Sequence, residues 1–142
     1  MSTIDASRST DRTIDGLLEG LKDRTPGVRH VLVLTRDGLK MSYSSGLSRD
    51  KADQLAALAA GIQSLSLSAS AEFGDALGAG QAMMEFAGGL LLIVPAGEGA
   101  HLAVVAEEDG EVGLIAHNMN ELVEQIGVYL TAAPRSAESG QA

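Results

Sequence analysis

The chain has 142 residues, 45% of them hydrophobic but only 3% aromatic, and 19 acidic against 10 basic residues leave a net charge of -9. That length suits one domain, with a core built from Leu, Ile, Val, Ala and Met. The acidic balance argues against direct binding to nucleic acid or anionic lipid. The absence of cysteine rules out disulfides, thiol catalysis and Cys-ligated metal.

The first residues, MSTIDASRSTDR, have no apolar run of the kind a secretory signal needs, so the cytoplasm is the expected address. Residues 1–10 are Ser/Thr/Asp-rich and are expected to be disordered. A first helix is expected over 12–24, with Ile14, Leu17, Leu18 and Leu21 as its apolar stripe and Thr10 or Asp11 as its cap. Pro26-Gly27 ends it. Residues 28–35 (VRHVLVLT) and 39–44 (LKMSYS), joined by Arg36-Asp37-Gly38, predict a hairpin. The alternation of the second strand puts Leu39, Met41 and Tyr43 on a covered face.

A second helix follows, with Ser48 as its cap and Asp50 and Asp53 in its first turns. Residues 54–71 (QLAALAAGIQSLSLSASA) carry no charge, although Asp53 and Glu72 bracket them. The large apolar residues Leu55, Leu58, Ile62 and Leu65, with Phe73 beyond, have helical spacing and are expected on the core. The opposite face reads Ala57, Ala60, Ser64, Leu67, Ala71. Lys, Glu or Arg should stand there on a helix lying on one sheet. Small uncharged residues instead let a second helix approach closely, so this helix is expected to be buried on two sides, by its own sheet and by another chain. The same pattern also fits an Ala- and Ser-rich solvent face, because Ala is a strong helix former. A membrane span does not fit a run with four Ser, two Gln and a Gly.

Residues 74–80 (GDALGAG) break the helix. Residues 81–87 (QAMMEFA) form a strand with Ala82, Met84 and Phe86 on one face and Met83 and Glu85 on the other. A Gly88-Gly89 turn leads to 90–94 (LLLIV), apolar on both faces and therefore central. A turn over 95–99 leads to 100–106 (AHLAVVA), also interior. The acidic run 107–113 is an exposed loop. A last helix is expected over 114–132, with Ile115, Met119, Leu122, Ile126 and Tyr129 or Leu130 as its stripe, Pro134 as its stop and a polar tail over 134–142. The order α-β-β-α-β-β-β-α, with hairpin-length links, makes an α+β three-layer sandwich on an antiparallel sheet.

No catalytic constellation is legible. His30, His101 and His117 lie on separate elements without metal-ligand spacing, and read as structural or surface histidines. His30 and His101 could stand near each other if their strands pair, but two imidazoles are not a site. The glycines at 74, 78 and 80 end a helix and enter a strand, the reverse of a phosphate cradle. No Gly-Lys-Ser/Thr follows a Gly-rich turn. The turn at Gly97-Glu98-Gly99 has Leu102 where a third glycine should stand. Glu107, Glu108, Asp109 and Glu111 lack the spacing of a calcium loop and read as a solvated turn. No nucleophile–base pair is present. The expectation is a protein that is not an enzyme, with no cofactor and no metal.

The succession of elements resembles the roadblock/LC7 family, the dynein-light-chain-related modules also found in bacteria beside small Ras-like GTPases. VRHVLVLTRDG followed by LKMSYSSGL is similar to the family's opening hairpin, ADQLAALAAGIQSL to its second helix, GAHLAVV to its last strand and GLIAHNMNELV to its final helix. The resemblance extends to members encoded in actinobacterial "conservon" clusters beside a sensor-kinase-like protein and a GTPase. Abundant Ala and Gly, with Arg outnumbering Lys, fit a GC-rich bacterial genome.

The resemblance implies a roadblock/profilin-like domain over about 11–133, with strand order 2-1-5-4-3, the second helix on one face and the other two helices on the other. It implies a homodimer with paired second helices, and with the third strands (Ala82, Met83, Met84, Glu85, Phe86) paired across a two-fold axis. An edge strand that apolar should be covered or paired in any case. It further implies that a small Ras-like GTPase binds across the paired helices. Ala57, Ala60, Ser64 and Leu67 then divide between the dimer seam and the GTPase platform. Arg24, Arg29, Arg36 and Arg49 are the exposed arginines that could reach a nucleotide in trans. Two other readings stay open: a structural scaffold without effect on nucleotide turnover, and a small-molecule sensor, which would need a concave pocket.

Overall fold

The computed structural model describes residues 3–75, 80–97 and 99–141, with side chains from 13 to 128 within those limits. Residues 76–79 of the 74–80 break and Glu98 lie outside the described residues, as do the side chains of Thr10, Asp11, Tyr129 and Leu130. The elements run α1 (Thr3–Arg24), β1 (Val28–Thr35), β2 (Lys40–Tyr43), α2 (Arg49–Phe73), β3 (Ala82–Phe86), β4 (Gly89–Pro95), β5 (Ala100–Ala106) and α3 (Val112–Gln141). One antiparallel sheet has the order β2-β1-β5-β4-β3.

Alternation along the central strands builds two cores. Val31, Val33, Leu90, Leu92, Val94, Leu102 and Val104 point to one face, where Ile14, Leu18 and Leu21 of α1 and Ile115, Met119, Leu122 and Ile126 of α3 close over them. Leu32, Leu34, Leu91, Ile93 and Ala103 point to the other face and meet α2. A buried hydrogen bond of 2.8 Å from Asn118 Nδ2 to Thr25 Oγ1 ties the end of α1 to α3. Both expected stripes of α1 and α3 are therefore core stripes among the described side chains.

The outer helices are longer than their stripes. α1 begins at Thr3 and α3 runs to Gln141, so both helices extend into stretches read as tails. Extending a helix that is already packed needs no new nucleus. Pro134 does not stop α3; proline removes one i→i−4 bond but leaves the turns on either side able to form.

The expected covered face of β2 is corrected by a bulge. Val33 pairs with Ser42 and Leu34 with Lys40, so Met41 is an extra residue between them. One inserted residue shifts the alternation. Leu39 and Met41 are exposed, while Ser42 and Ser44 turn inward. Ser42 Oγ donates to Asp15 Oδ1 of α1, and Ser44 Oγ accepts from the Val31 N–H at 2.9 Å. Lys40 faces α2 and pairs with Asp53.

α2 is capped as expected, with Ser48 Oγ accepting from the Lys51 N–H at 3.2 Å. Its facing differs from the expected one. The residues it buries are Ala52, Leu55, Ala56, Ala59 and Gln63; Ile62 is half-buried, and Leu58, Leu65 and Phe73 point out. The sheet beneath already presents Leu32, Leu34, Leu91 and Ile93. Large side chains on the sheet need small ones opposite, and alanines bring the helix close enough to exclude water.

Candidate functional site

The outward side of α2 is the most apolar exposed surface of the described residues. Leu58, Leu65, Leu67 and Phe73 are 58, 72, 49 and 90% exposed. Beyond Gln63 the helix is inverted: its sheetward residues Ser66 and Ser70 are half-buried, and its leucines face water. Gln63 itself is 4% exposed, and neither atom of its carboxamide has a hydrogen-bond partner among the described residues. An amphipathic helix normally does the opposite.

β3 continues this surface. It is a sheet edge, and its Met83, Met84 and Phe86 are 48, 38 and 40% exposed. Ala82, Met84 and Phe86 pair with Ile93, Leu91 and Gly89 and so share the α2 face; Met83 and Glu85, opposite Leu92 and Leu90, share the other. This is the expected partition. Phe86 is held over a glycine: a Cβ on Gly89 would lie under 3.0 Å from the Phe86 ring, the Arg29 guanidinium and the Ala106 carbonyl. Arg29 Nη2 donates at 3.4 Å to the Gly88 carbonyl, and Arg29 Nε stands 3.8 Å from Glu107.

Of the ten residues expected at an interface, Ala57, Ser64, Leu67, Ala71, Met83, Met84, Glu85 and Phe86 are exposed, and Ala82 is half-buried. Ala60 is half-buried on the other side of α2: its Cβ lies 3.2 Å from where a Cβ on Gly38, in the β1–β2 turn, would stand. Leu58, Leu65 and Phe73 were expected in the core and belong to this surface instead. Their composition signalled burial; it did not say by whom.

Among the described residues, the histidines stand apart from this surface and from one another. β1 and β5 do pair, but His30 lies opposite Val105 and His101 opposite Leu34, at different ends of the ladder. Burial depresses both histidines, with Lys22 and Arg29 adding to the effect on His30 and Arg36 on His101. His117 pairs with Glu121 at 3.2 Å on the exposed side of α3. Among the described residues no three His, Asp or Glu side chains converge as metal ligands. Arg24, Arg36 and Arg49 are exposed on separate parts of the chain. The depression at Gln54, Ala57 and Leu58 is shallow and open on the helix surface.

The sequence profile of the Roadblock/LC7 domain matches residues 14–106. The chain belongs to the Roadblock/LC7 family. Two crystal structures of Roadblock/LC7 domains from Streptomyces avermitilis are similar to it. One is 37% identical at a TM-score of 0.79, covering 83% of this chain and 98% of that one. The other is 41% identical at 0.65, covering 79% and 96%. The gliding protein MglB of Thermus thermophilus is 21% identical over 84% of this chain and 90% of its own, with a TM-score of 0.74, a likeness of fold. No curated protein matches the chain. Among the described residues, no helix of this Roadblock/LC7 domain is long and apolar enough to cross a membrane.

Proposed function

We propose that this Roadblock/LC7 domain, spanning about 11–133, is a non-catalytic homodimeric module of the cytoplasm that binds a small Ras-like GTPase. The observation that supports it is the inverted second half of α2, whose leucines face outward on the same side of the sheet as Met84 and Phe86. A connected apolar surface of this kind on a globular chain marks a protein interface. Pairing of two α2 helices covers part of this exposed apolar surface, and what stays open, around Ala57 and Leu58, is the platform for the GTPase. The GTPase itself comes from the family resemblance, as does a sensor-kinase-like protein as a further component of the complex.

Light scattering of the purified chain tests the dimer; a monomer at micromolar concentration overturns it. Titration of the GTPase encoded beside it, loaded with GDP or a GTP analogue, tests the partner. A regulator binds one nucleotide state more tightly, because a ligand that does not discriminate shifts no equilibrium. Equal affinity leaves a scaffold, and hydrolysis rates with and without the module then stay the same.

A further inference from the structure

α2 divides at Gly61. In the half before it, Ala52, Leu55, Ala56 and Ala59 are buried on the sheet, Ser48 caps the first turn and Asp53 pairs with Lys40 of β2. The β1–β2 turn closes on Ala60, the last residue of that half. In the half after it, residues 62–73, Gln63 is the one buried residue. Both polar atoms of its carboxamide lie out of water without a hydrogen-bond partner among the described residues. Ser66 and Ser70 are half-buried on the same side. A buried polar group left unpaired loses its hydration without replacement, so this half is seated on a residue that water would bind better.

Gly61 itself has no packing reason. It is exposed, and a Cβ there would meet nothing within 4 Å. Glycine in mid-helix keeps a backbone freedom that alanine would remove. At the far end the last turn carries Glu72 and no basic residue, the wrong charge for a helix C-terminus. Gly74 follows at φ -114°, without the left-handed conformation of a glycine cap.

We propose that residues 62–73 of α2 are a separate opening unit, which releases from the sheet while residues 49–60 stay seated, with Gly61 as the boundary and Gln63 as the group whose hydration favours release. Opening returns the Gln63 carboxamide and both serines to water. Of the unit's own large apolar side chains, Ile62 is half-buried, while Leu65, Leu67 and Phe73 are exposed already. Segments that bury little apolar surface are the ones that open below the free energy of global unfolding. The outward leucines therefore sit on the least fixed part of the helix, and a partner that seats on them must order it. That last consequence rests on the homodimer reading above; the opening unit does not.

Amide hydrogen exchange of the full chain tests this. Amides 66–73, whose helical hydrogen bonds lie within the unit, are expected to exchange about tenfold or more faster than amides 53–60, with a step at Gly61. Gly61→Ala is expected to slow 66–73 by about two- to fivefold. Gln63→Met, an unbranched apolar side chain of similar length, is expected to slow them by about fivefold or more. Neither variant is expected to change 53–60. In the wild type, raising the concentration through the range in which light scattering shows association is expected to slow 66–73 more than 53–60.

Equal exchange in the two halves overturns the unit. So does fast exchange confined to the last turn, 70–73, which is the fraying of any helix end. Rates that Gly61→Ala or Gln63→Met leaves unchanged overturn that residue's part in the opening. A step at Gly61 that does not respond to association overturns the coupling to a partner while the homodimer reading stands. A chain that stays monomeric overturns the homodimer reading, while the step alone upholds the unit.

Discussion

The two helical layers solve the same packing problem in opposite ways. α1 and α3 insert Leu18, Leu21, Ile115, Met119, Leu122 and Ile126, all fully buried, into their face of the sheet. At roughly 1.5–3 kcal/mol for each large aliphatic side chain removed from water, that layer is finished within one chain. α2 presents Leu55 and three alanines to its face and turns Leu58, Leu65 and Leu67 away. It fits closely but buries little of its own, and it leaves Leu58, Leu65, Leu67 and Phe73 exposed. A helix can therefore be well packed against its sheet and still be incomplete.

The contrast can be broken most sharply in the finished layer. Leu122→Ala leaves a cavity between α3 and the sheet and is expected to cost roughly 2–5 kcal/mol in urea unfolding. Dimerisation of the protein that remains folded is not expected to change. In the open layer the effects reverse. Leu65→Arg is expected to leave the fold of each chain intact by circular dichroism but to weaken the dimer by roughly 2 kcal/mol or more, as for an interface hot spot. Light scattering over a dilution series reads the shift, and an unaffected dimer would mean that the seam lies elsewhere.

Ser48→Ala tests whether α2 depends on its own start signal. Loss of the cap on the Lys51 N–H is expected to cost about 1 kcal/mol, seen as faster amide exchange in the first turns of α2 than in α1 or α3. The smallest effect comes with pH. His30 and His101 both lie on the α2 face by register, and burial holds both below the ordinary histidine value. The unfolded chain takes up protons there from about pH 6.5 downward while the folded chain does not. Their contribution is complete above that pH and declines as pH falls through it. The urea midpoint should fall between about pH 7 and 5.5, and a His30→Gln His101→Gln variant should flatten that fall.

Element order, the antiparallel sheet, the stripes of α1 and α3 and the two faces of β3 were all legible in the chain. In each of these a period of 3.6 or 2 separates apolar from polar residues, and local chemistry suffices: Ser48 as a cap, Asp37-Gly38 as a turn, and a glycine turn before β4, expected at Gly88-Gly89 and found one residue earlier, at Ala87-Gly88. Two things were not legible. The bulge at Met41 shifts the parity of β2 without any change in composition. The facing of α2 was ambiguous because alanines and leucines alternate around the whole helix, and periodicity cannot rank two apolar sides.

What the sequence determined by itself was that α2 carries no charge on any side between Asp53 and Glu72, so that no charged face marks the side that meets water. Which side lies on the sheet was decided only in three dimensions. Opposite Leu32, Leu34, Leu91 and Ile93 the helix seats the methyl groups of Ala52, Ala56 and Ala59 with one isobutyl group, Leu55, while Leu58, Leu65 and Leu67 are left exposed.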